Sequence, residues 1–170
     1  DIDDDDMNGV ITATAGTNTD AGWYAFGDTE VKYNINGTIT ATAGDSNAAG
    51  LYSSNGSIYT GDINGDITAT ATNGSNAFGL YAYDSIYTGA IDGNIVATAG
   101  QDWAAGLYSY SGSSIFTDAI NGTITADANN YAYGLYSNGK IDVDGIGGSG
   151  TITATARDSY AAGLYSENGP

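Results

Sequence analysis

The sequence predicts an all-β protein, a parallel β-solenoid (β-helix) of six coils with about 28 residues and three strands in each coil. Two columns of equivalent residues support this fold class: an isoleucine opens each Ile-x-Ala-x segment, and a tyrosine follows each Gly-Leu or Gly-Trp pair. The isoleucines are Ile11, Ile39, Ile67, Ile95, Ile124 and Ile152, in steps of 28, 28, 28, 29 and 28 residues. The tyrosines are Tyr24, Tyr52, Tyr81, Tyr108, Tyr136 and Tyr165. This constant period indicates one stacked domain over residues 1–170.

Each repeat contains three short runs of alternating apolar residues, which we name run A, run B and run C. In the second repeat they span residues 38–43, 48–53 and 57–60. Alternation over so few residues is typical of strands, and the Asn and Gly residues between the runs suit tight corners. A propeller blade needs about 40 residues, and a meander does not require constant spacing, so the solenoid is favoured.

The apolar positions predict core columns that run along the solenoid. The corner column is Met7, Ile35, Ile63, Ile91, Ile120 and Ile146, the run B column is Trp23, Leu51, Leu80, Leu107, Leu135 and Leu164, and the run C column is Val31, Ile58, Ile86, Ile115 and Ile141. Side chains beside the corner column are expected to hydrogen-bond from coil to coil: Asn8, Asn36, Asn64, Asp92 and Asn121. Which side chains of run B point into the core is not decided by the sequence pattern. If Leu80 and Leu135 point inward, strand alternation predicts that Phe78 and Tyr133 do so too and crowd the core.

Charge and composition argue against several function classes. The formal charge of −17 makes nucleic acid and anionic membranes poor partners, and no apolar run is long enough to insert into a bilayer. Without His or Cys, the usual catalytic triads and dyads are unavailable. A carboxylate pair for glycosidase chemistry stays open in principle, but Lys32, Lys140 and Arg157 are the only basic residues. We therefore expect a protein that is not an enzyme.

The recurring segments I-N-G-x-I-T-A-T-A and A-A-G-L-Y-S resemble repeats of large secreted bacterial β-helix proteins, particularly autotransporter passenger and adhesin-like domains. The resemblance covers almost the whole chain. It implies a parallel β-helix at an extracellular or cell-surface location. It assigns no catalytic residue to any position.

Two groups of oxygen-bearing side chains are candidate calcium ligands, the only cofactor that we consider. Asp1, Asp3, Asp4, Asp5 and Asp6 form an acidic cluster that could hold such a hard cation, or could be a solvated acidic segment. Asp62, Asn64 and Asp66 alternate beside a glycine. They lack the later Glu of a full calcium loop, so an ordinary Asn-Gly corner is favoured there.

Two outward columns are candidate binding surfaces. Thr12, Thr40, Thr68, Thr125 and Thr153, with a second threonine column two residues further along each run, resemble the ice-binding face of several antifreeze proteins. A plain solvated strand face is favoured, because Asp127 interrupts the array. The tyrosine column, reinforced by Tyr59, Tyr87 and Phe116, would serve as core if it faces inward. If it faces outward, it would be a packing surface between filaments or a platform for sugar rings.

The two ends of the sequence suggest self-assembly. Residues 1–7 align with residues 57–63, so the chain is expected to begin with a run C and to end with a run B, as six uncapped turns. The predicted subunit interface comprises Ile2, Met7, Leu164, Tyr165 and Pro170. We therefore expect a structural subunit of a head-to-tail homopolymer, a surface fibre for adhesion or matrix that also contacts surface glycans. The alternative is a solenoid that binds ice or carbohydrate.

Overall fold

A computed structural model of the chain describes residues 6–31 and 34–169. Its regular elements are strands β1 to β17, and this part of the chain contains no helix that could span a membrane. Run A forms β1 (Val10–Ala15), β4 (Thr38–Ala43), β7 (Ile67–Ala71), β10 (Asn94–Ala99), β13 (Thr123–Ala128) and β16 (Thr151–Ala156). Run B forms β2 (Asp20–Ala25), β5 (Ala48–Ser53), β8 (Asn76–Ala82), β11 (Trp103–Ser109), β14 (Tyr131–Ser137) and β17 (Tyr160–Ser166). Run C forms β3 (Thr29–Val31), β6 (Ile58–Thr60), β9 (Ile86–Thr88), β12 (Ile115–Ile120) and β15 (Ile141–Ile146).

Each run forms its own parallel sheet, with six strands for run A, six for run B and five for run C. Strands pair with the equivalent strand of the next coil, so Ile39 lies opposite Ile67 and Thr40 opposite Thr68. The corner isoleucines continue the same register through isolated bridges such as Ile35 to Ile63. The predicted fold, a parallel β-solenoid of about six turns with three strands per turn, is confirmed. The run C expected around Ile2 lies outside the described residues.

The interior narrows from one side to the other. Isoleucine and leucine from the three sheets fill the wide part, where Ile67, Leu80 and Ile91 are fully buried. Alanines at the end of run A meet alanines at the start of run B in a separate cluster, which includes Ala71 and Ala77. Because alanine side chains are short, the two walls approach closely there and the chain turns within a few residues.

The run C column departs from the prediction in its first coil. Thr29, rather than Val31, lies opposite Ile58, and Val31 lies opposite Thr60. Four residue steps separate Ala25 from Thr29, whereas five separate the equivalent Ser53 from Ile58. Thr29 thus takes the place expected for Val31, a shift of two positions relative to our alignment. Because a shift of two positions keeps the same face of a strand inward, Val31 still lies in the core with 4% exposure.

The side chains of run B do not alternate regularly between the core and the outer face. This irregularity decides which of them point into the core. A Cβ on Gly79 would overlap the Ile95 side chain in the core, while Leu80 is also fully buried in that core. Two consecutive residues therefore point inward, and the strand changes phase between them. Phe78 consequently lies with the tyrosines on the outer face, as does Tyr133. The conditional prediction that both rings crowd the core was wrong because it assumed unbroken alternation.

The inward glycine of run B is expected to be intolerant of any side chain. An added Cβ at Gly79 would lie 2.5 Å from the Gly106 carbonyl oxygen, which is part of the sheet and cannot move aside. We expect Gly79→Ala to lower the free energy of unfolding by about 1–3 kcal/mol, measured by urea denaturation. The control is Gly145→Ala, because a Cβ there meets nothing within 4 Å. Equal stability of the two variants would contradict this account of run B.

The two faces of run A are expected to respond differently to charge. Ile67 is fully buried, whereas its neighbour Thr68 is half-buried on the outer face. We expect Ile67→Asp to lower the free energy of unfolding by more than about 4 kcal/mol, since it buries an unpaired carboxylate. Thr68→Asp should cost about 1 kcal/mol or less. Thermal unfolding of both variants tests the assignment, and a comparable loss in both would refute it.

Candidate functional site

A ladder of stacked tyrosines follows the outer face of the run B sheet. Parallel pairing in register places each ring over the equivalent ring of the next coil. Successive ring centroids lie 5.5, 4.6, 5.5, 4.6 and 5.4 Å apart, and the ring planes diverge by no more than 16°. The ladder comprises Tyr24, Tyr52, Tyr81, Tyr108, Tyr136 and Tyr165. The neighbouring rings therefore cover most ring faces. The column faces outward, because its rings lie in a cluster apart from the isoleucine core.

Bulky neighbours cover the middle of this ladder. The Phe78 ring lies 5.2 Å from Tyr81 and 4.9 Å from Tyr108, and Tyr133 lies 5.1 Å from Tyr136. As a result Tyr108 is only 7% exposed, while Tyr24 in the first coil is 58% exposed. The aromatic residues form a second apolar cluster on the outside of the solenoid, separate from the isoleucine core.

Burial raises the pKa of several of these phenols. Desolvation, with smaller contributions from neighbouring tyrosines, raises the pKa of Tyr81 to about 12. Burial also raises the pKa of Tyr108 and of Tyr136, and a hydrogen bond from the Tyr136 hydroxyl to Glu167 at 2.7 Å adds to the second shift. These hydroxyl groups therefore remain protonated to a more alkaline pH than an ordinary tyrosine, and they can donate hydrogen bonds.

A groove of about 230 Å³ opens beside the ladder on the outer face. Aromatic rings line most of it: Tyr52, Phe78, Tyr81, Trp103, Tyr108 and Tyr110. The amides of Asn47 and Asn76 complete the lining, and the Asn76 side-chain amide donates a hydrogen bond of 3.0 Å to the Asn47 side-chain oxygen. The groove thus combines apolar rings with uncharged polar groups.

Tyr59, Tyr87 and Phe116 do not reinforce the tyrosine column, contrary to our expectation. They form their own ladder on the run C sheet, with centroid separations of 4.9 and 5.0 Å. A second groove, of about 400 Å³, lies beside this ladder, and its lining includes Asp118, Asp142 and Asp144. The two ladders therefore occupy different faces of the solenoid and differ in charge.

The threonine columns lie in register on the outer face of the run A sheet. Thr40 and Thr68 are half-buried, and the columns continue through Thr12, Thr125 and Thr153. Asp127 stands in the second column between Thr98 and Thr155 and forms an ion pair of 3.0 Å with Arg157. Ice binding by this face stays a prediction.

The candidate calcium ligands that the structure describes make hydrogen bonds between coils. Asp6 accepts from the Asn34 backbone N–H at 3.0 Å and from the Asn36 amide at 3.1 Å. Asp62 accepts from the Ala90 N–H at 2.9 Å, and Asp66 accepts from the Asn94 N–H at 3.0 Å. Asp1, Asp3, Asp4 and Asp5 lie outside the described residues. Among residues 6–31 and 34–169 no group of three acidic side chains is arranged to hold a metal ion.

Two further ladders hold the coils together. In the predicted amide ladder, Asn64 donates to Asn36 at 2.7 Å and Asn36 donates to Asn8 at 2.9 Å. A column of buried serines was not predicted; in it the hydroxyls of Ser53 and Ser137 each donate to a corner carbonyl oxygen at 2.6 Å. The recurring serine after Leu-Tyr was the available signal for this column.

The predicted interface residues differ in exposure. Leu164 in β17 is 48% exposed, whereas Leu135, one coil earlier in the same column, is fully buried. Tyr165 is half-buried and stacks on Tyr136. Met7 is 8% exposed and pairs with Ile35. Ile2 and Pro170 lie outside the described residues.

Comparisons with known proteins do not assign this chain to a family. Neither models of protein families, nor curated proteins, nor solved structures show a significant match to the chain. The parallel β-solenoid repeat is therefore established by the structure, while the autotransporter and adhesin-like identity stays a prediction from the repeated segments.

The buried tyrosines predict a loss of stability at alkaline pH. The pKa of Tyr81 in the folded chain lies above its ordinary value of 10.0, so ionisation favours the unfolded chain. Urea denaturation midpoints should stay constant up to about pH 9.5 and fall between about pH 10 and 12. Tyr81→Phe removes one of the groups whose ionisation favours unfolding, so it should reduce this fall. A pH dependence that is identical in Tyr81→Phe and the parent protein would contradict the assignment.

Proposed function

We propose that the protein is a structural subunit of an extracellular or cell-surface fibre, in which copies of the chain stack head to tail as one long β-solenoid. Adhesion or matrix formation is the proposed use of the fibre. We infer a structural rather than a catalytic role because the sequence has no His and no Cys. The observation that supports the proposal is the in-register pairing of equivalent strands, because a further coil of the same sequence would continue every column.

The edge strands expose groups that every inner coil buries. Among the described residues, β16 and β17 each pair on one side only, as do β1 and β2 at the opposite end. Leu164 is 48% exposed at one edge, whereas Leu135 one coil earlier is fully buried. At the other edge Ile11 is half-buried, whereas Ile39 in the next coil is buried. Unpaired backbone groups beside exposed apolar side chains form a template for a further strand.

A second copy of the chain offers strands that match this template. If β2 of one copy paired with β17 of another, Trp23 would continue the leucine column after Leu164, and Tyr24 would continue the tyrosine ladder after Tyr165. If β1 paired with β16, the isoleucine and threonine columns would continue in the same way. The contact uses two different surfaces, so it does not have to close into a ring and can extend as a filament.

Charge opposes this assembly at a distance but does not prevent contact. The formal charge of −17 repels other copies, and salt screens that repulsion beyond about 8–10 Å. We also propose that assembly depends on calcium, which would bind the acidic cluster Asp1, Asp3, Asp4, Asp5 and Asp6 and reduce the repulsion between copies. Added calcium or salt should therefore promote assembly, and a chelator at low salt should weaken it.

The experiment compares the 170-residue chain with two variants by analytical ultracentrifugation and negative-stain electron microscopy, in salt and calcium. The parent chain should form filaments one solenoid wide, with an axial rise of roughly 29 Å for six coils. Leu164→Asp places a carboxylate at the open edge, so it should remain monomeric with an unchanged melting temperature. Thr68→Asp carries the same charge on the side of the solenoid and should still form filaments.

Two results would overturn the proposal. One is a parent chain that stays monomeric at high concentration in salt and calcium. The other is a Leu164→Asp variant that forms filaments as readily as Thr68→Asp, because the edge would then not be the contact.

A further inference from the structure

The outer column that contains Trp103 changes from amide side chains to aromatic rings halfway along the solenoid. Trp103 lies opposite Tyr131 in the next coil and opposite Asn76 in the preceding one. The indole ring packs against Tyr131, with ring centroids 4.9 Å apart. On its other side the column continues with the short amides of Asn76 and Asn47, and the groove of about 230 Å³ opens there.

This location gives Trp103 a role that the stacked tyrosines cannot have. In the tyrosine ladder each inner ring is covered on both faces by neighbouring rings, so only ring edges reach solvent. Trp103 has an aromatic partner in its column on one side only, and its ring is 76° from the plane of Tyr108. An incoming flat, apolar surface can therefore stack against the indole within the groove.

The groove is held in shape before any ligand arrives. Phe78 packs against Tyr81 and Tyr108, and Trp103 contacts Tyr133 with a centroid distance of 5.6 Å. Side chains fixed by such contacts lose little conformational freedom on binding, which favours affinity. The volume is below that of a typical drug-sized pocket and suits a single ring rather than a large ligand.

The polar groups of the groove suit hydroxyl groups. One hydrogen bond joins Asn76 to Asn47, and each amide retains further donor or acceptor capacity. Tyr81 and Tyr108 bring phenol hydroxyls, which are neutral at physiological pH as tyrosines ordinarily are and can donate hydrogen bonds. A ligand with several hydroxyls around an apolar ring face could bond these groups and stack at the same time.

Charge narrows the class of ligand further. Within the described part of the chain, no acidic or basic side chain lines this groove, although the chain as a whole carries a formal charge of −17. Anions are repelled by the overall charge, and cations would concentrate instead at the acidic groove beside Asp118, Asp142 and Asp144. We propose that the groove beside Trp103 is a binding site for a neutral saccharide, with one sugar ring stacked on the indole and its hydroxyls bonded to the Asn47–Asn76 pair. This site is independent of the head-to-tail contact.

Tryptophan fluorescence offers a direct test. The chain has two tryptophans, so a Trp23→Phe background makes Trp103 the only indole reporter. Neutral oligosaccharides of glucose and of N-acetylglucosamine serve as probes at millimolar concentration, with a sulfated polysaccharide as the anionic comparison. We expect at least one neutral probe to shift the Trp103 emission in a saturable way, and the anionic probe to have no effect.

Variants then locate the site by isothermal titration calorimetry in the natural sequence. Trp103→Ala should weaken binding about tenfold, because it removes the ring on which the sugar stacks. Trp103→Phe preserves part of the packing and should bind with intermediate affinity, which keeps the test valid if the alanine variant unfolds. Asn76→Leu should weaken binding, and Tyr59→Ala on the run C ladder should leave it unchanged.

The proposal is overturned if neither neutral probe alters the Trp103 emission. It is also overturned if Tyr59→Ala weakens binding as much as Trp103→Ala, because binding would then not be specific to this groove.

Discussion

Every position in this solenoid must pack against the equivalent position one coil away. The parallel register imposes this condition on all three sheets, from the Ile39–Ile67 pair in run A to the Ile58–Ile86 pair in run C. A residue type that packs well against itself therefore becomes a column: isoleucine in the core, asparagine at the corner and tyrosine outside. The same condition excludes a side chain where the columns crowd, which is why glycine precedes the leucine of run B.

Columns separated by a constant number of residues could be predicted from the sequence, because the period determines which residues meet. Residues at positions where the local backbone geometry changes could not be placed correctly from the sequence. Val31 was placed in the wrong register because a turn shorter by one residue has no distinct signature. Phe78 was placed by strand alternation, which fails where Gly79 and Leu80 both point inward. Tyr59 was grouped with the tyrosine ladder by residue type, although a corner separates the two sheets.

The outer face shows how departures from the repeat create chemistry that the repeat itself lacks. Identical tyrosines cover one another and leave a ladder with few free ring faces. Phe78 and Trp103 occupy positions where neighbouring coils carry alanine, asparagine or tyrosine. These departures produce a groove at one level of the stack, whereas the regular columns produce a uniform surface. Phe78 and Trp103 can be read from the sequence as departures from the repeat. They lie on the same outer face because run B changes phase between Phe78 and Leu80.

The in-register pairing also bears on how such a chain can change in length over generations. The step of 29 residues between Ile95 and Ile124 leaves the two isoleucines paired, so the extra residue is accommodated between strands rather than within them. A coil gained or lost by duplication or deletion of one repeat would present the same columns to both neighbours. The extent of the solenoid could then evolve in increments of about 4.8 Å without any repacking of the interior.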